Sequence, residues 1–406
     1  MKFRCFWHRI GPVQATETRT RWAILALLFF SRVSLGFHFQ TVGSVADPLV
    51  RDLHLNFREV GTLIGLFNAA GLVLSIPAGL AGRHAADRTL VAVGLLALVA
   101  GGALAVFADG FGTLAIARLV AGAGFVLSTL YFTKMVADWF SGRELATAMA
   151  ILVMSWPFGI ALGQVGHGWL AEIHGWRAPF VAASLYCTVA AVLIFVLYRP
   201  PRTTATTAKP SYRLTRREWT LTLIASLVWA AFNAGYIVYL SFAPRVLTAG
   251  GLGPLQAASI ISLASWVMIF SGAACGQLAD RTGRSDLILT VCLCCGMASL
   301  ALLPQVGWAV PLSLVYGLIG MAPAGLIMAL TGAAMAPEKR AFGMGVFLSA
   351  YYLITAPAPA VAGWLYDGSG DPYLPILFAI ALFALTIAAN FGFRIAQRRT
   401  LQPAAG

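Results

Sequence analysis

Two arginines lie inside long apolar stretches of this sequence. Arg32 lies ten residues after Trp22, where the first apolar run begins, which is about 15 Å along a helix. Arg118 lies in a later run, and none of the 15 Asp and Glu residues falls inside any run. A charge at the centre of a bilayer costs about 2.5–3.5 kcal/mol unless it faces a cavity or a partner. The simplest partner left for Arg32 is an anionic solute, bound by the fixed fork of the guanidinium.

Each of these charges also has a structural interpretation. Arg32 can bind backbone carbonyls or a buried amide, and Arg118 can serve structure or coupling as well as contact a solute. His38 is a histidine well inside the same run as Arg32 and is the best candidate for proton coupling. It lies about 240° around the helix from Arg32, so it need not face the same cavity. A hydrogen-bonded structural histidine is the alternative.

Other polar and aromatic residues occur at similar depth in the runs. Trp and Tyr have an apolar body and a polar tip, which suits a small planar solute. Each residue alone is explained by packing, but the set predicts a substrate site near the bilayer midplane. Together with Arg32 and Arg118, the predicted site residues are Asn68, Trp156, Asn233, Tyr236, Trp266, Tyr351 and Tyr352.

The composition indicates an integral membrane protein. Hydrophobic residues make up 59% of the 406 and charged residues 11%, against roughly 25% charged in soluble domains. The net charge of +13 does not indicate nucleic acid, because the basic residues lie in short loops between apolar runs. The six cysteines suggest no disulfide framework. We expect no metal, no cofactor and no enzymatic activity.

Twelve apolar runs are long enough to cross a membrane, which takes about 20 residues each. Backbone groups in lipid must be satisfied within the segment, and the alternation of a barrel is absent, so the runs are predicted to be helices. They cover residues 22–45, 60–81, 90–108, 111–136, 145–170, 178–198, 220–246, 256–278, 287–304, 311–335, 341–365 and 374–395.

A basic, polar segment at residues 199–219 divides the chain into two halves of six runs. It carries six Lys and Arg against one acid, and it reads as a linker. We therefore predict a tail (1–21), a first six-helix bundle (22–198), the linker, a second bundle (220–396) and a second tail (397–406). With the N-terminus inside, the inner side holds 22 of the 28 Lys and Arg and the outer loops four. This bias predicts that both termini are cytoplasmic.

The two halves repeat one turn motif. Span two ends in a Gly-rich basic turn that begins at Gly79, and span eight ends in a similar turn that begins at Gly276, 197 positions later. Parallel six-helix repeats are typical of one class of transporter. Asp280 can pair with an Arg or a helix N-terminus of the neighbouring bundle, which would latch one face shut. A simple positive-inside anchor is the alternative. The predicted gate residues are Gly79, Arg83, Gly276, Asp280, Arg281, Gly283 and Arg284.

On these residues the chain resembles the major facilitator superfamily. The second half matches the turn signature G-x-L-A-D-R-x-G-R, whereas the first half has Gly82 where Asp is expected. Arg118, Gly122 and Gly124 match the helix-four signature. A third signature on helix five is weakened, with Gln164 in place of proline, which disfavours drug antiport. The segments 134–140 and 155–157 look like the cyanate-permease-like branch. The resemblance implies two pseudo-symmetric six-helix bundles around a central cavity.

The expected function is secondary active transport of a small anionic solute across a plasma membrane, in a bacterium the inner membrane. The site would lie between the bundles and work by alternating access. One alternative is an exporter of neutral or lipophilic molecules, with Arg32 structural. Another is a non-transporting receptor or assembly factor on the same fold. The expected partners are the solute and the lipid bilayer, with no nucleic acid, and we expect a monomer.

Overall fold

Every regular element in the described part of the computed structural model is a helix. The structure describes residues 12–82, 84–140, 144–201, 213–336 and 339–399, and no strand occurs in these ranges. The first half holds six long helices and two short ones that follow the first. They are α1 (Pro12–Phe39), α2 (Thr41–Ser44), α3 (Ala46–Asp52), α4 (Phe57–Ala81), α5 (Asp87–Val106), α6 (Phe111–Trp139), α7 (Leu145–His174) and α8 (Ala178–Leu197).

The second half contains the same number of crossings, but two of them are interrupted. The elements are α9 (Arg216–Ala249), α10 (Pro254–Thr282), α11 (Ser285–Ala301), a 3-10 turn (Val306–Trp308), α12 (Ala309–Val315), a π-helix (Tyr316–Gly320), α13 (Ala324–Ala334), α14 (Arg340–Thr355), α15 (Ala358–Ser369) and α16 (Leu374–Arg399).

The predicted all-helical membrane fold is confirmed. In the described residues, 11 helical segments are long and apolar enough to cross a membrane. The helix α11, with 17 residues, is a shorter apolar helix at the place of the ninth predicted run. The chain therefore crosses in the order that hydropathy predicts.

Beyond shifts of a few residues at helix ends, three features differ from the predicted runs. The helix α1 begins at Pro12, ten residues before Trp22, because a count of apolar residues cannot detect a helix that continues outside the hydrocarbon. The tenth run is not one helix: the π-helix is followed by a turn at 321–323. Pro323 has no N–H and its ring clashes with the carbonyl four residues earlier. Pro357 separates α14 from α15 for the same reason.

Parts of the predicted tails and linker lie outside the described residues, namely 1–11, 202–212 and 400–406. The described end of the linker is held at α9. The backbone N–H of Thr215 donates to the Glu218 carboxylate over 2.8 Å, which forms a capping box. Lys339 donates to the same carboxylate over 2.8 Å. The entry to α9 is thereby tied to the residue before α14.

The two halves meet at the end of the molecule opposite the linker, which we call the far end. There Arg245 of α9 forms an ion pair with Asp47 of α3 over 2.8 Å. The Asp367 carboxylate of α15 accepts bonds from the backbone N–H groups of Phe57 and Arg58, at 3.0 and 2.8 Å, where α4 begins. Both contacts join one half to the other, and together they seal the far end.

Glycines allow α4 to approach α14 and α15 closely along this seal. A Cβ placed on Gly61 would lie 2.0 Å from the carbonyl oxygen of Pro359, and one on Gly65 would lie 1.9 Å from that of Ala356. From the other side, a Cβ on Gly363 would lie 2.0 Å from the Phe57 carbonyl oxygen. Real Cβ atoms do not approach oxygens so closely, so the closed far end depends on these glycines.

Candidate substrate site between the two halves

Arg32 lies in α1 and turns its guanidinium toward α7. One terminal nitrogen donates to the Leu152 carbonyl oxygen over 2.8 Å and to the Ser155 hydroxyl over 3.0 Å. The residue is 9% exposed, and its Nε atom has no hydrogen-bond partner in the described part of the chain. Both groups that it contacts are uncharged. The contacts fix the direction of the guanidinium and leave its positive charge unneutralised.

An aromatic cluster surrounds this turn of α7. The ring of Trp156, next to Ser155, lies 5.2 Å from that of Phe39 and 5.0 Å from that of Phe125. Two residues further on, Phe158 meets Trp266 of α10 with the ring centroids 5.1 Å apart. The last contact crosses between the halves. The structure therefore brings three predicted site residues, Arg32, Trp156 and Trp266, to one level of α7.

A second group of predicted residues lies where α4 meets α14. Asn68 is buried, and its Nδ2 atom has no partner among the described residues. One turn later, a Cβ on Gly71 would lie 2.3 Å from a ring atom of Tyr352, so this ring covers α4 directly. The ring of Tyr351 lies 4.9 Å from that of Tyr352. Tyr352 thus contacts α4 across the halves, with Tyr351 beside it and Asn68 one turn before the contact.

Two predicted residues of α9 direct their polar atoms within the second half. The Tyr236 hydroxyl lies 2.7 Å from the Ser265 hydroxyl of α10, and Tyr236 is 3% exposed. The Asn233 amide donates to the Trp229 carbonyl oxygen of its own helix over 2.8 Å. In this state both polar tips have protein partners, in contrast to Asn68.

Arg118 lies in α6, and its side chain is buried against the end of α1. Its Nε donates to the Leu63 carbonyl oxygen over 3.1 Å and a terminal nitrogen donates to that of Phe39 over 3.2 Å. The other terminal nitrogen reaches the Thr41 hydroxyl at 3.4 Å, and the guanidinium lies 4.5 Å from the centre of the Phe67 ring. The carbonyls that end a helix have no partner within it. Arg118 supplies one for α1, and these contacts support its structural interpretation.

Two histidines lie buried near the same helix end. His38 is 1% exposed, and its Nε2 lies 3.0 Å from the Leu98 carbonyl oxygen of α5. His167 of α7 is fully buried, and its Nε2 lies 2.8 Å from the Phe37 carbonyl oxygen. The Nδ1 atom of each histidine has no partner in the part of the chain that the structure describes. Both therefore have one free ring nitrogen, although only His38 was singled out from the sequence.

The predicted gate residues lie at the linker end. Asp280, Arg281 and Arg284 are exposed, and Gly283 ends α10 with φ +65°, a left-handed conformation that favours glycine. Gly79 and Gly276 lie near the ends of α4 and α10, and a Cβ on Gly276 would meet no atom within 4 Å. Arg83 lies outside the described residues. The linker end therefore differs from the far end, where the halves are in direct contact.

Sequence reasoning missed the residues of the far-end seal, Asp47, Arg245 and Asp367. It placed the two acids in loops and counted Arg245 among the outer basic residues. A signal was available, since Arg245 is one of only four Lys and Arg on the predicted outer side. Nothing in the spacing, however, indicates that Asp367 reaches α4, which is 309 positions away from it at Arg58.

The described residues form long apolar helices in two halves, and Arg32 and Asn68 among them each keep a polar atom without a partner, which is compatible with a membrane transporter. The family model described as Major Facilitator Superfamily matches residues 28–359. The chain belongs to this superfamily, which consists of transporters rather than enzymes, and it is a secondary transporter of that type.

Curated relatives and solved structures agree with this family. The Hexuronate transporter of Bacillus subtilis (strain 168) is 23% identical over 91% of this chain and 94% of its own length. The Chloramphenicol resistance protein of Streptomyces lividans is 30% identical over 65% of this chain and 69% of its own. A bacterial homolog to the human lysosomal transporter Spinster, solved in an inward-facing and unoccupied conformation, has a TM-score of 0.73 at 18% identity, covering 95% of this chain and 99% of its own.

Proposed function

We propose that the chain carries a small hydroxylated organic anion across the membrane by alternating access, with Arg32 as the residue that binds its carboxylate. The observation that carries the proposal is the guanidinium of Arg32, which is buried, oriented by two neutral groups and not neutralised by them. A carboxylate fits the planar fork of a guanidinium. The similarity to a hexuronate transporter over nearly its whole length supports this class, since a hexuronate combines a carboxylate with several hydroxyls.

The other predicted site residues complete the proposal. Trp156 and Trp266 lie at the same level of the bundle as Arg32 and supply apolar ring faces. Asn68 supplies an amide nitrogen without a partner among the described residues. His38 is proposed as the coupling residue, because its free Nδ1 can take up a proton. Tyr236, Asn233 and Arg118 have protein partners in this state.

We place the linker and both termini in the cytoplasm and the protein in the bacterial inner membrane. The support is the distribution of Lys and Arg, with 22 of the 28 on that side. In this orientation the far end faces outward. The state sealed by Asp47, Arg245 and Asp367 is then one that is closed to the outside.

Two other substrate classes are alternatives to a hydroxylated organic anion. Segments 134–140 and 155–157 resemble the cyanate-permease-like branch, which would favour a smaller planar anion. The similarity to a chloramphenicol resistance protein favours a neutral lipophilic compound and export. In the second case Arg32 would be structural.

A binding experiment on purified protein tests the role of Arg32. Melting temperature and affinity for glucuronate are measured on the parent, Arg32→Gln and Arg32→Lys. Loss of a charge-assisted contact is worth about 1.5–3 kcal/mol, so Arg32→Gln should weaken binding about ten- to a hundredfold. Arg32→Lys should restore part of the affinity, because it keeps the charge but lacks the fork.

The same measurements separate the alternatives. Removing an unneutralised buried charge leaves no partner charge behind, so Arg32→Gln should melt close to the parent. A variant that melts much lower but binds glucuronate as tightly as the parent would show that Arg32 is structural. Binding of chloramphenicol and of no anion, cyanate included, would replace the proposal with the exporter.

A further inference from the structure

A small, partly open cavity lies between the halves at the far end, away from Arg32. Its volume is about 60 Å³. Polar side chains from both halves line it: Gln40, Ser44, Asp47 and Gln164 from the first half, and Ser241, Arg245 and Thr248 from the second. One water takes about 10–15 Å³ by this measure, so the cavity in this state has room for a few waters.

Arg245 provides the positive charge on the lining of this cavity. Its guanidinium lies 3.8 Å from the centre of the Phe57 ring and 5.6 Å from that of Tyr366. These rings fix the direction of the group, and the residue is 9% exposed. One terminal nitrogen donates to Asp47. A guanidinium has five N–H donors, so several remain for other acceptors.

Asp47 is a weakly held partner for this guanidinium. Its side chain is 69% exposed, whereas that of Arg245 is 10% exposed. Ion pairs with an exposed member contribute about 0–1 kcal/mol, because water competes for the exposed group. An incoming carboxylate can therefore replace Asp47 at little cost.

Gln164 of α7 supplies a second recognition group, a hydrogen-bond acceptor. It is 1% exposed, and its amide nitrogen donates to the Leu240 carbonyl oxygen over 3.3 Å. Its Oε1 atom has no donor among the described residues. A buried acceptor without a donor is unfavourable, and an O–H group in the cavity would supply one. The hydroxyls of Ser44 and Ser241 on the cavity wall add further groups for a hydroxylated solute.

We propose that this cavity is the collapsed form of an outer capture site for a hydroxylated carboxylate, distinct from the site at Arg32. When the far end opens, the solute's carboxylate takes the place of Asp47 on Arg245, and a solute hydroxyl donates to Gln164. When the far end closes, the solute has moved on and Asp47 returns to Arg245. The inference rests on the proposed function, because it needs an anionic solute.

Two substitutions that break the same ion pair test this inference. If the pair only seals the far end, Asp47→Asn and Arg245→Gln loosen the seal alike and shift the KM in the same direction. If Arg245 captures the anion, the shifts are opposite. Arg245→Gln should raise the KM for glucuronate about tenfold or more, through loss of a charge-assisted contact. Asp47→Asn should lower it several-fold, because the competing carboxylate is gone.

The KM is measured for glucuronate uptake in right-side-out and in everted vesicles, with Asp52→Asn as the control. Asp52 lies in the same short helix and pairs with its neighbour Arg51 over 3.4 Å, outside the cavity. The opposite shifts are expected from the side that the far end faces, and Asp52→Asn should leave the KM unchanged. KM does not depend on how much variant protein folds, so poor expression does not obscure the result.

The outcomes also separate this inference from the proposed function. If the parent transports glucuronate and both variants shift its KM in one direction, the capture site is wrong and anion transport stands. If the parent transports chloramphenicol but not glucuronate, both proposals fall. Opposite shifts from the far-end side support both.

Discussion

The three buried arginines of the described chain differ in what their guanidinium groups contact. Arg118 is held by backbone carbonyls and a phenyl ring, so its donors are used within the first half. Arg245 pairs with an exposed carboxylate of the other half. Arg32 contacts two neutral groups and keeps an unpaired Nε. From their partners we propose support of a helix end for Arg118, closure of the far end and capture of the solute for Arg245, and binding of the solute for Arg32.

Arg118→Gln should destabilise the protein without weakening the affinity of the folded fraction. It removes the donors that satisfy the end of α1, and each buried carbonyl left unpaired costs about 1–3 kcal/mol. We expect the melting temperature to fall by several degrees and the dissociation constant for glucuronate to stay within about twofold of the parent.

Arg177→Gln is the matched control for this experiment. Arg177 also donates to two carbonyl oxygens, those of Val106 and Ala108, but it is exposed and water can replace it. Its loss should lower the melting temperature less. A full loss of affinity in Arg118→Gln that melts like the parent would assign Arg118 to the substrate site instead.

At the scale of helices, we expect the contact of α4 with α14 and α15 to control whether the far end is shut. The backbones come into contact at Gly61, Gly65 and Gly363, so the helices can pack closely, with no side chain between them, when the far end is closed. Small residues at such crossings are typical of helices that pack closely in membranes. Any added Cβ acts against the closed state more than against the open one.

Gly65→Ala should shift the protein toward the state that is open at the far end. The added methyl would lie 1.9 Å from the Ala356 carbonyl oxygen in the closed state, and it is free of that clash once the helices separate. Distances between spin labels on α3 and on the α9–α10 loop should lengthen. Gly272→Ala is the control, because a Cβ there meets no atom within 4 Å. Unchanged distances in Gly65→Ala would show that the seal does not depend on this crossing.

Hydropathy predicted the helices and their order, because apolar length is a property of each segment alone. It could not predict the π-helix at Tyr316 or the turn before α13, since their geometry depends on packing around Pro323. The partners of Arg118 were also hidden, because they are backbone carbonyls, one where α1 ends at Phe39 and one at Leu63 within α4, and hydropathy does not show which carbonyl a distant side chain reaches. Charge placement made Arg32 a candidate for the site, since an unpaired charge in an apolar run is visible without coordinates, and its role stays a prediction.

At the scale of the whole molecule, the two halves are joined along the chain by one basic segment. The described end of that segment is anchored to Lys339 through Glu218, within the second half. Among the described residues, the halves contact one another at the far-end seal and also between Phe158 and Trp266 and between α4 and Tyr352. We propose that one half rocks against the other around the midplane, as alternating access requires.

Labelling of single cysteines should place the linker in the cytoplasm. The variants are Thr206→Cys in the linker and Gly251→Cys in the α9–α10 loop, in a background without the six native cysteines. In intact cells an impermeant thiol reagent should label residue 251 and leave residue 206 unlabelled until the cells are opened, because Lys and Arg concentrate on the inner side. The reverse pattern would invert the orientation and place the far end inside.

The carboxylate of Asp367 gives the seal a property that a hydrophobic plug would lack. It neutralises the positive end of the dipole of α4, a 25-residue helix, with a charge that belongs to the other half. When the halves part, water hydrates both the carboxylate and the freed amides, so the exchange is close to even in free energy. We therefore expect the sealed state and a state open at the far end to differ little in free energy. The binding free energy of a small solute is then enough to shift the equilibrium from one conformation to the other.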